Sequence, residues 1–184
     1  MPHINLPELP GIRALLTAFP QTDRPLIELA EALLRGPSPL TPAERELIAA
    51  YVSSRNRCFF CTQSHAAAAR HLYGEQRDLV DRVLHNASLT GLSPKMQALL
   101  QIAAKVQASG QHVSEADIAQ ARAAGATDQD IHDTVLIAAA FCMYNRYVDG
   151  LATWAPQDPK SYEDMGAELA QRGYASRYKS QSLT

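Results

Sequence analysis

LTPAERELIAAYVSSRNRCFFCTQSH, residues Leu40 to His65, is the stretch whose reading decides the fold. It opens with a helix start signal: Thr41 as N-cap, Pro42 at the first helical position, and Glu44 three residues past the cap. The helix so begun is expected to run to about Ser54. Arg55-Asn56-Arg57 interrupts it, and a second helix is expected from close to Cys58 to about Tyr73, ended by Gly74. If the two helices fold back on each other, residues equidistant from the turn become neighbours. Glu46 and His65 are equidistant from a centre between Arg55 and Asn56. An antiparallel helical hairpin therefore sets a carboxylate opposite an imidazole.

Outward from this hairpin the chain keeps reading as helix. Alanine, leucine, glutamine, glutamate and arginine dominate, and no stretch alternates β-branched residues with period two. The fold class is therefore all-α. Pro25 to Leu34 reads as a helix ended by Arg35-Gly36-Pro37, and further helices fit roughly 75–86, 94–109 and 114–124. A long helix beginning at Asp128 is expected to persist to about Trp154, and a weaker one covers Ser161 to Gln171. The whole of 1–184 is read as one domain. Residues 1–23 form an irregular N-terminal arm with one short turn around Ile12 to Phe19, and 174–184 a flexible or interface tail.

Composition closes off several function classes. Apolar content of 46% and charged content of 20% place the chain among ordinary globular domains, and 184 residues suffice for a core without staples. A net charge of −2 leaves no electrostatic footprint for nucleic acid. No apolar run approaches the roughly 20 residues that span a bilayer, and the N-terminus lacks a signal-peptide pattern. With few cysteines and no export signal, a cytoplasmic location is expected. There a CxxC pair is redox-active or metal-bound rather than a staple.

The chemistry concentrates in one place. Of three cysteines, Cys58 and Cys61 sit three apart with His65 four further on, while Cys142 lies in an apolar run and reads as core. At about 100° per residue, Cys58, Cys61 and His65 share one side of a helix. The pair lies near that helix's N-terminus, where unpaired N–H groups favour a thiolate, the reactive form. Glu46 orients His65 and makes it a better base, while Glu44 is left to the cap. Phe59, Phe60 and Tyr51 are the candidate lining of a small apolar substrate pocket. His71 and His85 lack partners at useful spacing and read as structural.

Glu46, then Cys58-x-x-Cys61-x-x-x-His65, resembles the active-site pattern of the AhpD-like alkylhydroperoxidases in the carboxymuconolactone decarboxylase superfamily. The flanks Leu40-Thr-Pro-Ala-Glu-Arg-Glu-Leu-Ile-Ala, Val52-Ser-Ser-Arg-Asn-Arg-Cys and Tyr144-Asn-Arg-Tyr-Val-Asp-Gly are similar to its peroxidase-related branch. The resemblance spans about Pro10 to Pro156. It implies an AhpD-like helical bundle, with Cys61 as the peroxidatic cysteine, Cys58 as its disulfide partner, His65 as relay base and Glu46 as the acid behind it. Well-studied members carry a second histidine just before the second cysteine, and here that position is Phe60. An apolar neighbour raises a thiol's pKa by desolvation.

The leading expectation is a thiol-dependent peroxidase acting on alkyl or hydrogen peroxides through the cysteine pair. It needs no bound cofactor and no metal, but an external dithiol reductant. One alternative is a non-catalytic, redox-sensing disulfide-exchange protein of the same fold. Another makes Cys58, Cys61 and His65 three ligands of a zinc site. The resemblance also implies a homo-oligomer (dimer, trimer or hexamer). The spread of Leu136, Ile137, Phe141, Met143 and Tyr144 around their helix fits that, as do an N-terminal arm and a tail (Tyr174, Tyr178) able to reach a neighbour.

Overall fold

The computed structural model describes residues 1–85 and 89–176. Among them every regular element is helical: α1 (Ile12–Ala18), α2 (Pro20–Arg35), α3 (Pro42–Arg55), α4 (Phe59–Tyr73), α5 (Asp78–His85), α6 (Pro94–Ala108), α7 (Glu115–Ala123), α8 (Asp128–Gly150) and α9 (Pro159–Arg172). Helix α3 begins as its sequence dictates. The Glu44 backbone N–H donates to Thr41 Oγ1, and the Thr41 N–H donates to the Glu44 carboxylate at 2.8 Å. Ser114 with Asp117, and Thr127 with Asp130, start α7 and α8 by the same reciprocal cap. No helix among the described residues is long and apolar enough to cross a membrane.

Helices α3 and α4 form an antiparallel pair at the centre, with α6 and α8 against α3 and α9 across α4. Leu47, Ile48 and Val52 of α3 are fully buried with Leu99 and Leu100 of α6 and Ile137 of α8. On α8, Ile137, Phe141 and Tyr144 face this core, while Leu136 and Met143 are exposed. Helix α4 carries the run Ala66 to Ala69, buried throughout. Residues this small let α9 approach to backbone distance: a Cβ placed on Gly166 would lie 2.6 Å from the Ala67 carbonyl carbon. That contact fixes where α9 ends, and so where the residues after it can reach.

The front of the chain departs from expectation. Helix α2 starts at Pro20, five residues before the expected Pro25, which now sits inside the helix. Pro20 occupies the first turn, where a missing N–H costs nothing. The i, i+3, i+7 spacing of the buried Ile27, Ala30 and Leu34 then carries the helix through Pro25. Nor does the arm reach outward. The His3 N–H donates to the Leu151 carbonyl at 3.0 Å and the Gly11 N–H to the Trp154 carbonyl at 2.9 Å. A side chain at Gly11, whose φ is 54°, would collide with the Phe60 ring. Helix α8 also stops at Gly150, short of Trp154. At the other end Tyr174 packs within its own chain. Tyr178 and the rest of the expected tail from 177 to 184 lie outside the described residues, as does the expected end of the helix at residue 86.

The α3–α4 turn is held by a buried amide network. Arg57 adopts φ 61°, a left-handed conformation that costs a non-glycine residue about 1–2 kcal/mol. The Asn56 amide donates to Asn145 Oδ1 at 2.8 Å and accepts from Gln107 at 2.8 Å, and the Asn145 amide donates to Ser53 Oγ at 3.0 Å. Cys142, half-buried, lies against the same Asn56 amide at 3.6 Å. These bonds tie α6 and α8 to the turn immediately before Cys58. Asn145→Ala is expected to destabilise the protein by about 1–3 kcal/mol in urea unfolding, because it strands buried partners on Asn56 and Ser53. Gly166→Ala tests the α4–α9 contact. Helix propensity alone would stabilise this variant by about 1 kcal/mol, yet we expect a loss of about 1–3 kcal/mol from overpacking. A higher melting temperature would show that the two helices are not in backbone contact.

Candidate active site

Cys58 is the N-cap of α4 and Cys61 lies in its first turn, the two 0% and 4% exposed. The cap is fixed by the backbone. The Cys58 N–H donates to the Ser53 carbonyl at 3.1 Å, and the Cys58 carbonyl accepts from the Thr62 N–H at 3.0 Å and the Thr62 hydroxyl at 2.8 Å. Both thiols are free. Hydrogen bonding to Cys61 pushes the Cys58 thiol well above the ordinary range, with burial and the charge of Cys61 adding to it. Tyr162 of α9 covers the pair, its ring edge-on to Phe59 at 6.0 Å and tilted on Phe60 at 6.1 Å. Burial, then the two thiols, push its hydroxyl up to about 12.

The hairpin brings Glu46 and His65 together. Glu46 Oε2 lies 2.7 Å from His65 Nδ1, deep enough that the Glu46 side chain is wholly buried. Two further donors, which the sequence did not disclose, meet Oε1: Arg35 Nη2 at 2.6 Å and the Tyr174 hydroxyl at 2.7 Å. Burial alone would raise the Glu46 pKa. The charges of His65 and Arg35 and the hydrogen bonds from His65 and Tyr174 outweigh it and hold the carboxyl below its ordinary value. Arg35 also donates to the Leu169 carbonyl at 3.0 Å, so one guanidinium joins α2, α3 and α9. Glu44, the rival acid, is committed to its cap.

Tyr174 arrives by a route that only the packing reveals. Past Gly173, the Tyr174 and Ala175 N–H groups donate to the Glu31 carboxylate at 2.7 and 3.2 Å. The ring then lies parallel to His65, with centroids 6.1 Å apart, and 5.2 Å from the Arg35 guanidinium carbon. Burial first, and the Glu46 charge next, raise its hydroxyl well above the ordinary phenol value. The reading of 174–184 as a tail is corrected at its first residue.

A cavity of about 80 Å³ opens beside Cys61 and His65, walled by Ile12, Leu16, Leu26, Ile27, Ala30, Phe60, Phe141, Tyr144 and Tyr174. It adjoins a wider one of about 320 Å³, which shares Phe60, His65 and Tyr174 and adds Arg13, Ser64 and Glu168 at its mouth. Of the three expected lining residues, only Phe60 borders either cavity. Phe59 points to the other side of α4, and Tyr51 packs on the main core under Arg55. One residue of helical phase separates Phe59 from Phe60, and that rotation carries it out of the pocket. Cys58, Cys61 and His65 do not converge as ion ligands: among the described residues no group of three or more His, Cys, Asp or Glu is placed to hold a metal.

The carboxylate makes a pH-dependent contribution with a definite sign. Because the folded pKa of Glu46 lies below its ordinary 4.5, its stabilisation is present above that value and is lost as pH falls through the lowered one. Glu46→Gln is expected to lose about 3–5 kcal/mol at neutral pH, since it leaves Arg35 unpaired in a buried site. Its urea midpoint should then fall less on acidification than that of wild type. Equal acid sensitivity of the two proteins would remove Glu46 as the responsible group.

Comparison with known proteins agrees with this architecture. The family model described as carboxymuconolactone decarboxylase family matches residues 20–105 and 78–155. A peroxidase-related protein from a Silicibacter species is similar at 30% identity and TM-score 0.73, over 82% of this chain and 78% of that one. The alkylhydroperoxidase AhpD core of a peroxidase-related protein from Ralstonia eutropha is similar at 30% identity and TM-score 0.75, over 86% and 81%. A protein from Agrobacterium tumefaciens shares the fold at 20% identity and TM-score 0.65, over 86% and 100%. No curated protein matches the chain. The family model matches well over half of the chain, and two relatives at 30% identity are covered over most of their length, so this chain is an AhpD-like member of the carboxymuconolactone decarboxylase family.

Proposed function

We propose that the protein is a thiol-dependent hydroperoxide reductase in which Cys61 attacks, Cys58 resolves, and Glu46 with His65 moves the proton. The observation that carries this reading is the buried Glu46 carboxylate 2.7 Å from His65, whose ring lines the same cavity as Cys61. An ionised carboxylate only accepts, so the His65 proton belongs on Nδ1 and Nε2 is left as a base. His65 takes the Cys61 proton. The thiolate then attacks the terminal oxygen of the hydroperoxide: an S–O bond forms, the O–O bond breaks, and Cys61 becomes a sulfenic acid. The leaving alkoxide takes the proton back from His65 and departs as an alcohol.

Cys58 then attacks the Cys61 sulfur, its proton leaving with the hydroxide as water, and a disulfide closes. An external dithiol reduces it by two exchange steps and is itself oxidised to a disulfide. The raised Cys58 pKa supports this division, because the resolving thiol stays protonated until a sulfenic acid forms beside it. The apolar wall of Ile12, Leu16, Ile27 and Phe141 supports an alkyl hydroperoxide as substrate. Phe60, where family members carry a histidine, extends that wall and adds no charge.

Consumption of cumene hydroperoxide in the presence of a dithiol tests the proposal. Wild type is expected to turn over, and Cys61→Ser to fall to the rate without protein. Equal rates for the two would sink the peroxidase reading.

A further inference from the structure

Three donors converge on the Glu46 carboxylate, and family pattern accounts for only one. Arg35 Nη2 and the Tyr174 hydroxyl share Oε1 at 2.6 and 2.7 Å, leaving Oε2 to His65 alone. The Tyr174 oxygen also lies 3.2 Å from His65 Nδ1. The protons in this cluster have one consistent arrangement. A carboxylate donates nothing, so the Tyr174 O–H points to Oε1. His65 Nδ1–H then points to Oε2, with a longer reach to the lone pair on the Tyr174 oxygen.

We infer that Tyr174 is a positioning residue of the relay: its hydroxyl draws charge from Glu46 and so loosens the carboxylate's hold on the proton that His65 carries on Nδ1. This rests on the relay proposed above. A charged carboxylate bonded to an imidazole holds the ring's proton more tightly, because an opposite charge favours the protonated form. Each further donor on the carboxylate weakens that hold. Tyr174 and Arg35 share the Glu46 carboxylate that orients His65. The arrangement also favours the return step, in which His65 gives its proton to the alkoxide.

The position of Tyr174 is built into the fold. The Glu31 carboxylate grips the backbone on either side of the Tyr174–Ala175 peptide, and the ring fits between His65 and Arg35. The charged and titratable groups around the pair are Arg35 and Glu31 on α2, Arg45 on α3 and Cys61 on α4, with Arg13 and Glu168 at the cavity mouth. Tyr174→Phe alters none of them and keeps the ring.

The test is an NMR titration of ring-labelled His65 in wild type and Tyr174→Phe. At neutral pH the wild-type ring is expected to carry its proton on Nδ1, and a proton on Nε2 overturns the inference. In Tyr174→Phe the proton affinity of the Glu46–His65 pair is expected to rise roughly ten- to a hundredfold, the effect of one lost hydrogen bond to a charged group. An unchanged titration overturns it. The readout is taken on the resting protein, so it separates from turnover. If the titration moves and wild type consumes no cumene hydroperoxide, Tyr174's role stands and the peroxidase reading fails.

Discussion

A carboxylate buried in a helical bundle must be compensated, and in this protein the compensation of Glu46 organises much of what surrounds it. The desolvation cost of such a group is several kcal/mol, more than a few weak contacts can offset. Arg35 from the end of α2, His65 from the middle of α4 and Tyr174 from beyond α9 supply the donors. Each comes from a different element, so the charge acts as a junction on α3 where three segments must meet. The same bonds that satisfy the carboxylate set the direction of the imidazole beside Cys61.

The packing that permits this is unusually close where it needs to be. Ala67 and Ala68 on α4 and Gly166 on α9 remove the side-chain layer between those helices. Larger residues would hold α9 farther off and place Tyr174 out of reach of Glu46. At the opposite end of the hairpin, Asn56, Gln107, Asn145 and Ser53 fix the turn in which Arg57 is left-handed. The thiols and the Glu46–His65 pair are thus positioned from two sides, by polar bonds at the turn and by small-residue packing along the helix.

The two thiols differ because their surroundings differ, although the motif treats them alike. Cys58 is wholly buried at the cap, where the neighbouring Cys61 and burial raise its pKa, while Cys61 borders the cavity. Phe60 faces that cavity and Phe59 turns away, although Tyr162 packs on both rings. The pocket is apolar, with His65 as its basic group. Charge enters the site by way of the carboxylate behind that ring rather than from a second histidine.

Much of this was legible in the sequence because it is local. Capping boxes, the absence of strand alternation, and helical phase place Cys58, Cys61 and His65 on one face, and hairpin symmetry then pairs Glu46 with His65. These follow from 3.6 residues per turn and a short connection. What the sequence could not supply is long-range. Arg35 looked like the end of a helix and Tyr174 like a loose tail, since nothing near either residue marks a carboxylate 11 or 128 positions away as its partner. Pro25 looked like a start because a local rule was applied where tertiary burial of Ile27, Ala30 and Leu34 prevails. The sequence by itself determined most of the helices and the pairing of Glu46 with His65. Only the tertiary structure decided which groups share the buried charge, because desolvation acts through space and leaves no periodic trace along the chain.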